Sequence, residues 1–501
     1  MNSKTQTRII TLTLFATLAL TLQLAAQAPA QPQHQYYHYQ LIDPGTFGGP
    51  SNGLSNVGIS RAGFLNNSGT LVGWANTSGS DSPYCGFGNC YAGDAFQLKN
   101  GVTTDLGRVP GGFDSQANWI SGNGLIAGLG DNGVPDPLAG FLIPQLHGLL
   151  WENGIMTDLG SLPEGGYLVF PNAVNNRGEV VGLAQNTVPD ANAMLTGYGY
   201  QTRAFYWKNG AMQDLGTLGT GTDAVAALIN ERGQVVGMSY TNSAPSAICA
   251  GLNGFNLTTA SFIWDQKNGM RDIGGLGGTC TLASDFNNRG QVIGGSSLTS
   301  DSTIHAFVWN ATTGVIDLLD PSDNSYGFAE GENDHGDVAG GTCDAVTCYA
   351  VLWRKRGGQW QKTNLSTVTQ SAFSISINSS EQVIGNWSGG AFLSEDGGPI
   401  VDLNTLIPAN SGIQLGEAVQ INDRGEIAAQ GPDANGNNHA VLLIPCDENH
   451  PGVADCDYRM VTARTARQNV ALRYVPKTML HSFRSRMSNR FSARGLPSQS
   501  R

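Results

Sequence analysis

Carboxylates recur at one place in this chain. Asp105, Asp158, Asp214, Asp272 and Asp402 each stand before Leu or Ile, and four of the five are followed by Gly at the next step. A pair of carboxylates can act as acid and base in hydrolysis. A carboxylate that returns at a fixed place in every repeat reads instead as a turn cap, its oxygen accepting from the backbone two residues on. Five tryptophans, Trp151, Trp207, Trp264, Trp309 and Trp353, also share one strand position. A sugar-stacking ladder would use that residue type, but packing between neighbouring units explains a fixed place on an apolar strand. The dense acidic group Glu330, Glu332, Asp334 and Asp337 breaks the repetition and is the group a polysaccharide hydrolase or lyase would need; its alternation fits a solvent-exposed turn equally well. Asp433-Ala434-Asn435-Gly436-Asn437 alternates oxygen donors like the start of a calcium loop but lacks the closing Glu, so an Asn-Gly turn is expected there, as at Asp131-Asn132-Gly133. The eight His are scattered, and neither His-Glu-x-x-His nor a serine elbow with plausible partners occurs. The expectation is no assigned catalytic residue, no metal and no cofactor.

The elements that would position these groups come from a repeat. Asn-x-x-Gly, two or three apolar residues and Gly return eight times: Asn66–Gly73, Ser121–Gly128, Asn175–Gly182, Asn230–Gly237, Asn287–Gly294, Asn333–Gly340, Asn378–Gly385 and Asn422–Ala429. From Gly73 onward the steps are 55, 54, 55, 57, 46, 45 and 44 residues. Each unit reads as four short strands, A to D. Strand A ends in the Asn, a type I turn with Gly at its fourth position leads to strand B, and a bulged hairpin results. Strand C is aromatic, as in Ala204-Phe205-Tyr206-Trp207, and strand D ends in Asp-Leu-Gly. Four-stranded units of this length fit propeller blades. The chain starts on a lone D-like strand, Tyr39–Asp43, and its last unit has A, B and C but ends at His439–Leu443 without D. First and last pieces therefore make one whole blade, which leaves no sticky edge. The expected fold is an all-β propeller of eight four-stranded blades, closed by pairing of the N-terminal strand with the last blade.

These blocks resemble the HAF repeat, a bacterial extracellular repeat named after its His-Ala-Phe strand. His305-Ala306-Phe307-Val308-Trp309 matches that strand, while Asp214–Gly219 and Ile229–Gly237 match the other two blocks. The resemblance runs from about Tyr39 to Leu443. It implies an exported protein of a family without an assigned activity, and it supplies no catalytic residues. Only His305 and His439, with His147 as a third candidate, hold the family's His, so that His is not expected to be a required ligand.

Lys4 and Arg8, an apolar run from Ile9 to Leu24 and small residues after it have the layout of a secretory signal peptide. The expected boundaries are 1–26 for the signal peptide, 27–36 for a linker, 37–445 for the propeller and 446–501 for a Cys-bracketed turn and basic tail. In an exported chain, eight cysteines read as disulfides: Cys85 with Cys90, Cys343 with Cys348, Cys446 with Cys456, and Cys249 with Cys280 by remainder. From Arg459 to Arg501 there are ten Lys or Arg and no Asp or Glu, against a net charge of −12 for the whole chain. An acidic body argues against nucleic acid as a partner, and the tail suits an anionic envelope surface.

Loop length gives the functional expectation. The link from strand B to strand C is long in the first four units (Ala75–Asp94, Leu129–Leu146, Leu183–Arg203 and Met238–Ala260) and short in the seventh (Asn386–Gly390). Equivalent loops emerge on one face. Tyr84, Phe87, Tyr91, Tyr198, Tyr200, Tyr240 and Phe255 stand in them among Gly, Ser and Asn, a mixture suited to a glycan or protein surface. The expected function is a secreted binding module whose ligand meets this face; the alternative is a propeller-fold polysaccharide hydrolase or lyase.

Overall fold

The computed structural model describes residues 34–54, 63–81, 90–139, 143–194, 199–320, 322 and 325–462. The expected signal peptide, most of the linker and the tail beyond Thr462 lie outside the described residues. Among the described residues, strand pairing gives six four-stranded antiparallel sheets, one eight-stranded sheet and a two-stranded pair of Gln35–Tyr36 with Val461–Thr462, a propeller-like all-β fold. The eight-stranded sheet is two repeat units joined by one parallel bridge, Thr259 to Cys280. Unit three shows the pattern: A is Val169–Val174, B is Val180–Pro189, C is Tyr200–Lys208 and D is Ala211–Asp214. Apolar residues on both faces of A, B and C pack one unit against the next. Val181, Ala204 and Tyr206 of unit three, for instance, meet Ala224, Ala226, Val235 and Phe262 of unit four.

The N-terminal strand Tyr39–Ile42 pairs antiparallel with Asn438–Pro445, with Leu41 opposite Leu443 and Ile42 opposite Leu442. It fills the D position of unit eight down to its last residue. Asp43 Oδ1 accepts from the Gly45 amide at 2.8 Å, and Asp43 Oδ2 meets His439 Nδ1 at 2.8 Å.

The repeated motif has a steric basis. Strand A bulges in units two to eight, at residues such as Asn172 and Glu330, and the strand-B Gly lies against that bulge. A Cβ on Gly182 would stand 2.0 Å from the Phe170 carbonyl oxygen and 2.9 Å from the Phe205 ring. The A–B turns close as type I turns in which Gly takes positive φ, 69° at Gly178 and 79° at Gly425; Glu381 takes 57° in unit seven.

The Asn that opens each turn does two jobs. Its Oδ1 accepts from the amides two and four residues on, as Asn378 does from Ser380 and Gln382 at 3.1 and 3.0 Å. Its Nδ2 donates to the backbone carbonyl of the equivalent residue one unit later. Asn66 reaches Ser121, Asn175 reaches Asn230, Asn230 reaches Asn287, Asn287 reaches Asn333, Asn333 reaches Asn378 and Asn378 reaches Asn422, over 2.9 to 3.4 Å. Asn422 then reaches Asn66 at 2.9 Å. Only Ser121 lacks the amide for this, and there Asn123 bonds Asn176 twice, at 2.8 and 2.9 Å.

Three of the expected disulfides are present: Cys249–Cys280, Cys343–Cys348 and Cys446–Cys456. Cys90 is also disulfide-bonded, while Cys85 lies outside the described residues.

Removing one belt asparagine should cost more than removing an ordinary turn residue. Asn378→Ala deletes two acceptor contacts and a buried donor, so we expect a loss of about 2–4 kcal/mol in a urea unfolding titration. Lys267→Ala, at an exposed C–D turn position, should lose less than about 1 kcal/mol. Equal losses would contradict the bridging role.

Candidate functional site

The repeated carboxylates cap turns, as their spacing predicts. Asp105, Asp158, Asp214 and Asp272 accept from the amide of the Gly two residues on at 2.7 to 2.9 Å, and Asp402 accepts from Asn404. Their second oxygen explains the His of strand C. Asp158 Oδ2 meets His147 Nδ1 at 2.6 Å, Asp317 Oδ2 meets His305 Nδ1 at 2.9 Å, and Asp214 Oδ2 meets Arg203 Nε at 2.8 Å. In unit one the charges are exchanged, and Asp94 of strand C pairs with Arg108 at 2.7 Å. A C-strand partner of either sign braces the C–D corner, so the His position needs no imidazole.

The other sequence candidates are also structural. Trp151, Trp207, Trp264 and Trp353 are buried, and Trp151 donates its indole N–H to the Leu106 carbonyl of the preceding unit at 2.9 Å. Glu330 and Glu332 lie in strand A of unit six and are buried, not on an exposed turn; Glu332 accepts from Asn287 Nδ2 and Gln291 Nε2 at 2.9 and 2.8 Å. Asp433 is committed to its own turn, accepting from the amides of Asn435 and Asn437 at 2.8 Å.

The long links of the first four units differ from their expected form, because most of each link is strand. B runs to Ser80, Pro135, Pro189 and Pro245, and C resumes at Tyr91, Pro144, Tyr200 and Leu257. These B strands span 10 or 11 residues, against 5 to 7 in the last four units. The wall is therefore four extended hairpins. In unit four a helix, Ala247–Asn253, closes the hairpin; Ser246 caps its start and Gly254 ends it at φ 82°.

The seven aromatic candidates separate on this frame. Tyr84, Phe87 and Tyr198 lie outside the described residues. Tyr91 is 40% exposed and Tyr200 partly so, each in the outermost ladder pair of its hairpin, opposite Ser80 and Pro189. Tyr240 and Phe255 are core residues: they meet edge to face at 6.0 Å, packed with Leu252 and Cys249 under the helix. Their area is spent on packing, so they are withdrawn from the ligand face. Val134 and Val188, at matching positions of two B strands, are about half exposed and join Tyr91 there.

The same face holds buried acid pairs that sequence reasoning missed. At five junctions the residue three before the aromatic position of strand C meets the residue seven before the belt position in the next unit. In several junctions the backbone supplies the contact, as at Thr259 with Cys280. In two junctions a carboxylate does: Asp114 accepts from the Gly93 amide at 2.7 Å, and Asp223 accepts from the Thr202 amide. Each has a second Asp beside it from the end of strand B, Asp81 and Asp190. Asp114 and Asp81 hydrogen-bond to each other, which requires one of them to hold a proton. Burial first, and Asp81 next, push Asp114 up to about 8. Burial pushes Asp223 up to about 7 against the Met194 and Thr202 amides that lower it, with Asp190 raising it further. The signal in the sequence was an Asp directly after strand B (Ser80-Asp81, Pro189-Asp190) matched by an Asp just before strand A of the next unit (Asp114, Asp223).

No protein-family model matches the chain, and no curated protein matches it. Solved structures with some likeness include puromycin hydrolase, at 12% identity over 83% of this chain and 64% of that one, TM-score 0.40. A post-proline cleaving enzyme from Rickettsia typhi is 9% identical over 79% of this chain and 58% of that one, TM-score 0.42. A gluconolactonase from Xanthomonas campestris is 10% identical over 83% of this chain and 99% of that one, TM-score 0.26. This chain thus spans less than two thirds of the first two. The propeller-like description rests on its own sheet topology. Among the described residues no helix is long and apolar enough to cross a membrane.

A raised carboxyl binds a proton in the folded state that the unfolded chain releases, so its contribution is full below about pH 4 and is lost as pH rises through about 8. Asp114→Asn should remove that slope. We expect the variant to exceed the wild type at pH 9 by on the order of 2 kcal/mol and to lose the advantage at pH 4, read from denaturation midpoints at the two pH values.

Proposed function

We propose that this protein is an exported, closed propeller of eight four-stranded blades related to the HAF repeat proteins, acting as a binding module through the face built by its four extended hairpins. Closure is supported by the antiparallel pairing of Tyr39–Ile42 with Asn438–Pro445 and by the Asn422–Asn66 bond between last and first units. Export is supported by the signal-peptide layout of the first 26 residues and by disulfides, which persist in oxidising compartments.

The observation that carries the binding reading is asymmetry. Eight units share one turn and one strand pattern, and five of them brace the C–D corner with an ion pair, yet only the first four lengthen the B–C hairpin. Exposed Tyr91, Val134 and Val188 lie on that extension, and a rim of aromatic and aliphatic groups among Gly, Ser and Asn suits glycan rings or a protein surface. A hydrolase or lyase would need carboxylates open to substrate; Asp81 and Asp223 are fully buried, so binding without catalysis is the reading retained.

A glycan array probed with the mature chain, followed by titration of any hit, tests this. The triple variant Tyr91→Ala, Val134→Ser, Val188→Ser should weaken the hit at least tenfold while shifting Tm by only about 1 °C, since all three side chains are exposed. Undiminished affinity would place the ligand elsewhere. Reducing-end release from a bound polysaccharide would instead establish an enzyme.

A further inference from the structure

Between units three and four lies a buried polar pocket that no belt, brace or turn uses. Its walls follow from strand alternation. Val181 and Leu183 pack toward unit four, with Ala224, Ala226 and Val225, so Gln185, two residues further on strand B, faces the same junction. Thr202 is opposite Gln185 in the ladder and lies two residues before Ala204, which also packs on unit four. Asp223 enters from unit four itself, holding the amides of Thr202 and Met194. Asp190 stands at the end of strand B, with one oxygen on the Asn192 amide at 2.7 Å.

Four oxygens here have no partner within the protein: Gln185 Oε1, Thr202 Oγ1, Asp190 Oδ2 and Asp223 Oδ1. Gln185 is 1% exposed, and Thr202 and Asp223 are fully buried. Native interiors satisfy such groups, and the buried Asp223 and the partly buried Asp190 beside it repel each other unless a cation or proton sits between them. The nearby cation does not serve, because Arg203 is held by Asp214 Oδ2 and by the Thr222 carbonyl at 2.8 and 2.7 Å.

The next junction supplies an independent reason to expect a cross-link. Asp223 stands seven residues before Asn230, as Cys280 does before Asn287, and Cys280 is joined to Cys249 of the neighbouring hairpin. At both junctions, a group at this position fastens the tip of the preceding hairpin to the next unit. One fastening is covalent; the other ends in oxygens.

We propose that Asp190, Asp223, Gln185 and Thr202 bind one calcium ion that ties the unit-three hairpin to unit four. All four donors are oxygen, only two are charged, and they come from two strands and the segments beside two strand ends. That set suits calcium, which takes six to eight oxygens in irregular geometry with water completing the shell, better than magnesium, which demands a near-ideal octahedron. The proposal is independent of what the hairpin face binds.

The test uses the full mature chain stripped with a chelator and dialysed, then titrated with calcium chloride by calorimetry and followed by thermal unfolding. We expect one ion per chain and a Tm rise of about 2–5 °C at saturating calcium. Asp223→Asn, which keeps the shape and the backbone acceptor, should weaken binding at least tenfold. Gln185→Leu should do the same while leaving the stripped protein at least as stable as wild type, because it removes two unpartnered polar atoms. Asp433→Asn, in the calcium-like surface turn, should leave binding unchanged. No stoichiometric binding by the wild type, or binding that survives both pocket variants, would overturn the proposal; loss in Asp433→Asn alone would do so as well.

Discussion

The asparagine amide at the A–B turn is the interaction on which the rest of this molecule depends. One side chain has both an acceptor and a donor, and the fold uses them in different directions. The acceptor fixes the turn within a unit; the donor fixes the distance and angle to the next. Aspartate could make the first contact but not the second, and serine in unit two is supplemented by Asn123 and Asn176. Because every unit but that one carries the same amide, neighbouring sheets are spaced by polar contacts of similar length. The apolar interfaces between them, such as Val181 and Tyr206 on Ala224 and Phe262, need only fill the space so defined.

Such a belt also determines where variation can occur. The A–B turns are tied on one face, and in five units the C–D corner is braced by a His–Asp or Arg–Asp pair or its exchanged form. The B–C hairpin is not part of either device. It lengthens in four units without disturbing the bulge, the strand-B glycine or the belt, which is why the asymmetry among units collects there.

Much of this was legible in the chain because it depends on short-range chemistry. The Asn-x-x-Gly turn, the Asp cap two residues before Gly and the buried tryptophans each follow from local spacing, as does the bond between Cys343 and Cys348. The pairing of Tyr39–Ile42 with Asn438–Pro445 was legible for another reason: a missing strand at one terminus and a surplus strand at the other can be counted. The donor half of the asparagine was not legible, since its partner lies 44 to 57 residues away and nothing local marks it. The hairpin extensions read as loops because Asn, Gly, Ser and Thr dominate them, yet register, not composition, holds them as strand. Tyr240 and Phe255 resembled loop aromatics for the same reason; the Ala247–Asn253 helix covers them, and a seven-residue helix leaves too weak a periodicity to be anticipated.

The buried acids show that stability alone does not shape the hairpin face. At the junction of units six and seven the place of Asp223 is taken by Ser371, whose hydroxyl accepts from the Cys348 amide at 3.3 Å. At the junction of units four and five a disulfided cysteine stands there. Either a neutral hydroxyl or a backbone carbonyl therefore meets the geometric need of the junction without a titrating group. Asp114 and Asp223 bring a desolvation cost that those alternatives avoid. Both stand under lengthened hairpins, each with a second carboxylate delivered by the hairpin itself. A costly group placed twice, only where a hairpin is lengthened, goes with the hairpin and not with the junction, whose geometry the neutral alternatives already satisfy.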